Sequence, residues 1–158
     1  MMNQLYLTTR RCTIRRFAAE DIYDLYEALS DESVMRFIEH PFSMKDTEDF
    51  LRDVGLSDEP LVYALVWNET NRVIGHVIFH PYEEDSYEIG WIINKAYWGK
   101  GIASEVTTAL LDWAQALSVR SCVIECDTMQ VVSSHIAQKL GFQYESENDG
   151  CAVYRIKL

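Results

Sequence analysis

A short glycine-containing turn lies between an apolar strand and an amphipathic helix, and its residue types suit the binding of an anion. The turn reads Trp98-Gly99-Lys100-Gly101-Ile102-Ala103. Glycine has no Cβ, so its backbone adopts turns that other residues avoid and can pass close to a bound group. A helix that starts directly behind the turn adds unpaired N–H donors and the positive end of its dipole. The spacing therefore predicts a site for an anionic group such as a pyrophosphate.

Two other phosphate-binding patterns do not fit this turn. A P-loop needs Gly-x-x-x-x-Gly-Lys followed by Ser or Thr, and the sequence contains no such run. A dinucleotide fingerprint needs a third glycine where the chain has Ser104. The pattern that does match is the acetyl-CoA signature Gln/Arg-x-x-Gly-x-Gly/Ala. Gly101 and Ala103 are in place, and Trp98 stands where Gln or Arg is usual.

With this turn the sequence resembles the GNAT acetyltransferases, most closely the branch that acetylates the N-termini of ribosomal proteins. The opening segment Thr9–Arg15 is similar to that branch's Thr-Glu-Arg-Leu-x-Leu-Arg strand. Further family segments follow in the family's order: Ile74-Gly75, Glu88-Ile89-Gly90-Trp91, Tyr97-Trp98-Gly99-Lys100-Gly101 and Lys139-Leu140-Gly141-Phe142. The resemblance covers nearly the whole chain and implies an acetyl-CoA-dependent N-acetyltransferase.

The length and composition are those of one ordinary globular domain. The chain has 158 residues, of which 48% are hydrophobic, enough for a full core. No apolar run approaches the roughly 20 residues that span a bilayer. The first residues lack the basic and apolar regions of a signal peptide. We therefore expect a single N-acetyltransferase domain over residues 1–158, in the cytoplasm and without a membrane partner.

The negative charge of the chain argues against nucleic acid as a partner and suits a cationic one. A net charge of −11 argues against nucleic acid, because binding its backbone requires a basic surface. Negative charge suits a cationic acceptor such as an amine or a basic protein, although it can equally serve solubility alone. The four cysteines show no metal-ligand spacing, so reduced thiols and no metal site are expected. A homodimer is left open.

Hydrophobic periodicity and turn residues predict a mixed α/β domain. Strands are predicted at about Leu5–Phe17, Leu61–Trp67, Val73–His80, Tyr87–Asn94, Cys122–Asp127, Phe142–Glu147 and Ala152–Leu158. Helices are predicted at about Glu20–Leu29, Ser43–Gly55, Ser104–Leu117 and Ser133–Leu140. Turns are predicted at 68–71, 81–85 and 148–150. The expected fold is the GNAT-like one, with a central, mostly antiparallel twisted sheet and helices on both faces.

The family resemblance assigns the contacts with acetyl-CoA mainly to main-chain groups. It implies that the pyrophosphate lies on the backbone amides of the loop. It also implies that the pantetheine arm pairs with the preceding strand, which splays from the next strand to admit the thioester. The residues so assigned are Trp91, Ile92, Ile93, Gly99, Lys100, Gly101, Ile102, Ala103, Ser104 and Gln130. Gln130 replaces the usual Asn, Trp98 is either a packing residue or a contact, and Lys100 is either near a phosphate or solvated.

Two carboxylates on predicted strands are candidates for the base that takes the proton of the amine. Glu125 lies on the strand after the long helix, and Glu88 lies on the strand before the loop. Glutamate is depleted in strands, which makes both notable. Either side chain can instead be solvated on an outer face, so the sequence does not choose between them. A base is less needed for an α-amine, with a pKa of ~8, than for a lysine near ~10.4.

The leaving thiolate needs stabilisation, and here the chain departs from the family pattern. Many relatives carry a tyrosine where this chain has Ala137, and the resemblance points to Ser133 as the substitute donor. Ser133 has a second interpretation as the N-cap of its helix. His76 and His80 share one strand face by their even spacing, and a polar strand face explains them better than a metal site does.

The predicted function is acetyl transfer from acetyl-CoA to a primary amine, of a protein N-terminus or of a small molecule, by direct attack in a ternary complex. The alternative is a catalytically silent CoA-binding sensor or interaction module, which the departures at Ala137, Gln130 and Trp98 keep open. The acceptor is not identified by the sequence. The family builds its acceptor site from segments that correspond to about Val34–Met44 and Glu145–Gly150.

Overall fold

The computed structural model describes residues 4–158, in which eight strands and five α-helices occur. The strands are β1 (Leu7–Thr8), β2 (Cys12–Arg15), β3 (Val62–Trp67), β4 (Arg72–Glu83), β5 (Ser86–Ile93), β6 (Ser121–Asp127), β7 (Gln143–Asn148) and β8 (Cys151–Lys157). The helices are α1 (Ile22–Leu29), α2 (Glu32–Met35), α3 (Met44–Phe50), α4 (Ile102–Ala116) and α5 (Val131–Lys139). None of the described helices is long and apolar enough to cross a membrane.

All eight strands belong to one sheet, in the order β1-β2-β3-β4-β5-β6-β8-β7. The pairs β1–β2, β2–β3, β3–β4, β6–β8 and β7–β8 are antiparallel. β5 and β6 are parallel, and α4 supplies the long crossover that a parallel pair requires. The predicted mixed α/β class with a mostly antiparallel sheet is confirmed.

The chain divides into two compact units. The first comprises the chain up to Ile78 together with Trp91–Ile102, and the second comprises Phe79–Gly90 together with Ala103–Leu158. The strands β4 and β5 and the helix α4 each contribute residues to both units. The expectation of one domain over residues 1–158 stays a prediction, and its first three residues lie outside the described part of the chain.

The core of the first unit forms where the periodic faces of its helices meet β3 and β4. Leu25 and Leu29 of α1 are buried, and their i, i+4 spacing places them on one face of the helix. The buried cluster consists of Phe17, Leu25, Leu29, Val34, Met35, Leu51, Val62, Ala64, Val66, Val73 and Ile92. Ser43, the first residue of the predicted helix Ser43–Gly55, is of a type that caps helices. The cap is confirmed, because Ser43 Oγ accepts from the Asp46 N–H and Asp46 Oδ2 accepts from the Ser43 N–H, both at 3.0 Å. After α3 the chain continues as a π-helical turn over Leu51–Gly55.

The second unit buries one stripe of α4 and both faces of β6. Val106, Leu110 and Ala114 of α4 lie four residues apart and are fully buried. This helix begins at Ile102, two residues before the predicted start at Ser104. The earlier start places the helix directly behind Gly101, with no intervening residue.

The strand β4 is longer than predicted, because it continues through Pro81 to Glu83. Proline cannot donate to a strand ladder and usually ends a strand or lies where no donor is needed. Here the turn shortens to Glu84 and Asp85, and Asp85 has a φ of +65°. The extension brings Tyr82 onto β4, beyond His80 at the predicted end of the strand.

The first predicted strand, over Leu5–Phe17, is divided into β1 and β2 by a tight turn. The Thr9 N–H donates to Cys12 O at 2.8 Å, and the Cys12 N–H donates to Thr9 Oγ1 at 3.0 Å. These two bonds reverse the chain, and Leu7 then pairs with Ile14. The turn also places Arg11 at a bend, where its side chain can reach a distant loop.

Candidate active site

The glycine loop, residues 98–101, joins the end of β5 to the start of α4 in the first unit. Gly99 and Gly101 have φ values of +75° and +78°, a left-handed region that residues with a Cβ rarely adopt. A Cβ on Gly101 would meet Arg11 Nη2 only at 3.9 Å, and one on Gly99 would meet nothing within 4 Å. Glycine is therefore required at both positions because of the backbone conformation, and not because a Cβ would collide with neighbouring atoms. Directly behind them, the first N–H groups of α4 have no acceptor within the helix.

Two side chains of the first unit hold this loop in place. Arg11 Nη2 donates to Lys100 O at 2.8 Å, across 89 residues of sequence. Because the peptide bond is trans, the Gly101 N–H points away from Arg11. The indole N–H of Trp98 donates to Ile93 O at 2.8 Å, while its ring is 48% exposed. Two side-chain hydrogen bonds therefore hold the loop, and one of its backbone donors, the Gly101 N–H, is directed away from Arg11.

At the end of β5, the main-chain N–H and C=O groups of successive residues point alternately toward β4 and away from it. A Cβ on Gly75 would lie 2.0 Å from Ile92 O, so the missing side chain lets β4 approach this carbonyl closely. The Asn94 N–H donates to Ile74 O at 2.7 Å. Since the main-chain groups of successive strand residues point to opposite sides, those of Trp91 and Ile93 point away from β4. Of the three residues assigned to pantetheine, Ile92 is therefore the one whose main-chain N–H and C=O point toward β4.

The parallel pairing of β5 with β6 is short. Within the described residues it consists of Ser86 with Ser121, Tyr87 with Cys122, and Glu88 with Val123. In contrast, β6 pairs with β8 along its whole length, from Ser121 to Asp127. The pairing therefore ends while β6 continues, as expected for a strand that separates from its parallel neighbour.

A polar cluster of four side chains, His80, Tyr82, Glu88 and Glu125, lies on three adjacent strands of the second unit. His80 Nε2 lies 3.2 Å from Glu88 Oε1. The hydroxyl of Tyr82 donates to Glu125 Oε2 at 2.7 Å. His80 and Tyr82 share a face of β4 by their i, i+2 spacing. Glu88 pairs with Val123, which is two residues before Glu125, so the two carboxylates also share a face.

The hydrogen bonds of this cluster set the charge of its members. His80 Nδ1 lies 2.8 Å from Pro81 O and Nε2 lies 3.2 Å from a carboxylate oxygen, so both ring nitrogens face acceptors, an arrangement that favours the doubly protonated ring. The bond to Glu88 raises the pKa of His80 from its ordinary 6.5, against the effect of burial. The bond to Glu125 raises the pKa of Tyr82 to about 12, so Tyr82 stays a neutral donor.

Ser133 and Gln130 lie at the start of α5. The N-cap of this helix is Gln130, and its side chain makes no capping bond. The interpretation of Ser133 as the N-cap is therefore wrong, because α5 begins at Val131, two residues before the predicted start. Ser133 is instead the third residue of the helix and is 7% exposed. Ala137, one turn later, is fully buried and offers no hydroxyl.

His76 has surroundings opposite to those of His80. It is 4% exposed and packs against Phe50, with ring centroids 5.2 Å apart. Its Nδ1 has no hydrogen-bond partner among the described residues, and burial lowers its pKa to about 4. The interpretation of both histidines as one polar strand face is wrong for His76. Within residues 4–158 there is no group of His, Cys, Asp and Glu side chains that could hold a metal ion.

Sequence reasoning missed three residues of this arrangement. The sequence alone shows Arg11 only as part of a family segment and His80 only on a polar strand face, and it gives Tyr82 no role in the chemistry. The available signal was the alternation of His80 and Tyr82 before a two-residue turn, followed by Glu88 on the next strand.

The strand order, the one parallel pair bridged by α4 and the glycine loop at the start of α4 define an acetyltransferase of the GNAT fold. Residues 11–143 match the acetyltransferase (GNAT) domain family, and the chain belongs to this family. It is 31% identical over 144 residues to the uncharacterized N-acetyltransferase YnaD of Bacillus subtilis, covering 89% of this chain and 84% of that protein. The predicted family and the predicted class of enzyme, an acetyltransferase, are confirmed.

Solved structures agree with this family at the level of the fold. A GNAT-family acetyltransferase from Bacillus anthracis superposes with a TM-score of 0.88 at 26% identity, covering 97% of this chain and 98% of that one. The microcin C7 self-immunity acetyltransferase MccE, solved in complex with acetyl-CoA and AMP, has a TM-score of 0.79 at 16% identity. The superposition covers 94% of this chain and 93% of MccE, and at this identity it shows only that the two proteins share a fold.

Proposed function

We propose that this chain is an acetyl-CoA-dependent N-acetyltransferase that transfers an acetyl group to a primary amine by direct attack in a ternary complex. The observation that carries the proposal is the glycine loop. Two glycines with positive φ stand directly before a helix N-terminus, an arrangement of backbone donors that suits a pyrophosphate. Membership of the GNAT family supports acetyl-CoA as the ligand.

Acetyl-CoA would be held mostly by the main chain. In this proposal the N–H groups of Gly99–Ser104 bind the pyrophosphate. The main-chain groups of Trp91 and the N–H of Ile93 pair with the pantetheine arm, because they point away from β4. The Ile93 carbonyl already accepts from Trp98, so Trp98 acts as a brace for the loop. The amide of Gln130, at the N-cap of α5, would meet the pantetheine as well.

The chemistry requires two proton movements. A carboxylate of the polar cluster, Glu125 or Glu88, takes one proton from the protonated amine, either directly or through a water. The neutral nitrogen then attacks the thioester carbonyl carbon, and a C–N bond forms while the C–S bond breaks. The second nitrogen proton ends on the departing sulfur, with assistance from the Ser133 hydroxyl, so the products are the acetylated amine and CoA thiol.

The acceptor is proposed to be a cation in solution, such as a protein N-terminus or a small amine. The net charge of −11 attracts cations. In the first unit, Glu32, Ser33, Met35, Arg36 and Pro41 line a cleft of about 450 Å³, which overlaps the predicted acceptor segment Val34–Met44. In the other predicted acceptor segment, Glu145–Gly150, the charge of Glu145 is already neutralised by Arg155. The cleft is therefore the favoured site for a cationic acceptor.

The proposed location is the cytoplasm. The thiols of Cys122, Cys126 and Cys151 are free. Burial raises the pKa of Cys122 to about 12 and that of Cys126 to about 11, so these thiols are unreactive and structural. A homodimer stays a prediction.

The proposed function is tested by incubating the protein with acetyl-CoA and a panel of α-amino peptides, lysine peptides and polyamines. Release of CoA thiol that depends on an acceptor, with an acetylated product detected by mass spectrometry, is the expected result. Samples without acceptor control for hydrolysis of the thioester. Tight acetyl-CoA binding without thiol release across the panel would instead support the silent CoA-binding module.

A further inference from the structure

We propose that His80 and Tyr82 are positioning residues that give the two carboxylates of the polar cluster different tasks. His80 holds Glu88 as a fixed anion, and Tyr82 orients Glu125, which takes the proton of the amine. This inference rests on the proposed function and deepens it, because it chooses between two candidate bases. The sequence alone left that choice open.

His80 and Glu88 are engaged with each other. His80 Nδ1 faces Pro81 O at 2.8 Å, and Nε2 faces Glu88 Oε1 at 3.2 Å. Two protons on the ring would satisfy both acceptors, so the geometry favours a charged His80 beside the Glu88 carboxylate. Their side chains are only 21% and 19% exposed, so water weakens this contact little. In this proposal Glu88 is the fixed partner of His80, and the pair does not take the proton of the amine.

The surroundings of Glu125 leave it able to accept a proton. Tyr82 is a neutral phenol that donates to Oε2 at 2.7 Å, so it fixes the carboxylate without cancelling its charge. The second oxygen, Oε1, is not used by this bond. A neutral donor lowers the proton affinity of a carboxylate less than a paired cation does.

The other charged and titratable groups around the cluster fit this division. His80 attracts Glu125 as well as Glu88, but its ring nitrogens are already engaged. Glu83, the neighbour of Tyr82 on β4, is paired with Arg155 of β8 at 2.6 Å. The thiol of Cys151 on β8 is kept neutral, because burial, Glu125, Glu88 and Asp127 all raise its pKa. Among residues 4–158, Glu125 is thus the anion of the cluster that has a neutral hydrogen-bond partner and no ion pair.

The first experiment compares kcat as a function of pH for Glu125→Gln, Glu88→Gln and Tyr82→Phe, using an acceptor found with wild-type protein. We expect Glu125→Gln to lower kcat by roughly 10²–10⁴-fold, as the loss of a general base does. We expect only about tenfold for Glu88→Gln, which loses an electrostatic partner but not the base. Acetyl-CoA affinity, measured by calorimetry, should be unchanged in all three variants.

The role of Tyr82 has a distinct signature. Without its hydroxyl, Glu125 is protonated more easily, so the acid limb of the pH–rate profile should move to higher pH in Tyr82→Phe. Tyr87→Phe is the matched control, because Tyr87 packs against Phe79 at 4.8 Å between ring centroids and should leave the profile in place. A purely structural role of Tyr82 would lower stability without moving the profile.

A second measurement does not depend on activity. The His80 ring should titrate by NMR above the range of an ordinary histidine in wild-type protein and return toward that range in Glu88→Gln. His80→Gln identifies the resonance, and exposed His135 serves as the internal control. If Glu88→Gln loses more activity than Glu125→Gln, or if His80 titrates as an ordinary histidine, the inference is overturned. Absence of acetyl transfer by wild-type protein would overturn the proposed function instead, while the NMR titration would still test the pair.

Discussion

The glycine loop of the first unit and the polar cluster of the second differ in the kind of atoms that make them useful. The loop presents backbone N–H groups, which depend on Gly99 and Gly101 at positive φ. The cluster presents side chains from β4, β5 and β6, and one of its hydrogen bonds spans 43 residues of sequence. A main-chain site is encoded by neighbouring residues and leaves a motif. A side-chain site depends on strand register, so the sequence offers candidate residues without showing which of them meet.

The two histidines of β4 show the same contrast within a single strand. His76 lies in the first unit, buried against Phe50, and is kept neutral. His80 lies in the second unit between two acceptors, and its bond to Glu88 raises its pKa. Four residues therefore separate two histidines whose pKa values are shifted in opposite directions. Desolvation lowers the pKa of the first, and a carboxylate partner raises the pKa of the second.

The largest expected effect concerns His76 and acid stability. Its pKa in the folded protein is about 4 against an ordinary 6.5, so between these values the unfolded chain binds the additional proton. Stability should therefore fall as the pH falls from 6.5 to 4, by up to ~3 kcal/mol. Urea unfolding at pH 7 and pH 4.5 measures this loss, which His76→Leu should largely remove. His135→Gln, at an exposed position, is the control, and equal losses in wild type and His76→Leu would contradict the prediction.

The next effect tests whether the second unit contributes a further side chain to the chemistry. Ser133→Ala should lower turnover roughly ten- to a hundredfold, because a hydroxyl at the start of α5 can donate to the developing thiolate. Since Ser133 is not the N-cap, the variant should stay folded and bind acetyl-CoA normally. Ser134→Ala is the matched control, because Ser134 Oγ only donates to Val131 O. Full turnover in Ser133→Ala would remove this residue from the mechanism.

The main-chain character of the loop is tested by adding and removing side chains. Gly101→Val should weaken acetyl-CoA binding at least tenfold, or about 1.4 kcal/mol, because valine is strained at a φ of +78°. Lys100→Ala, the matched control beside it, should weaken binding less than about threefold, since it loses a single exposed charge. Calorimetry on both folded variants gives the comparison. A larger loss for Lys100→Ala would show that the loop acts through its side chain instead.

The smallest effect concerns the support of the loop by Arg11. Arg11→Met removes the 2.8 Å bond to Lys100 O, and an exposed hydrogen bond of this kind contributes about 1 kcal/mol. We therefore expect acetyl-CoA to bind about fivefold more weakly, with kcat unchanged at saturation. Arg10→Met, at the exposed neighbouring position, controls for the loss of charge. Equal losses in the two variants would indicate a general charge effect and not support of the loop.

Local signals in the sequence were sufficient where one segment contains the whole interaction. The prediction that Ser43 caps the second helix is confirmed, because the cap and its partner Asp46 lie within one turn. Of the periodic apolar positions, Leu25 and Leu29 of α1 are buried, as are Val106, Leu110 and Ala114 of α4. Errors arose where a residue outside the segment completes the structure. Pro81 was taken to end β4, yet the strand continues to Glu83, and α5 begins at Val131 instead of Ser133.

The sequence by itself determined the family, the mixed α/β class and the glycine loop, since each depends on residue types at short and regular spacing. Only the tertiary structure decided that Arg11 supports the loop, that His76 is buried while His80 faces two acceptors, and that Tyr82 contacts Glu125. These contacts join residues that are distant in sequence, and their partners follow from the register between strands. Periodicity shows which face of an element is buried, but it does not show which distant side chain lies opposite, because that arises only when the segments pack together.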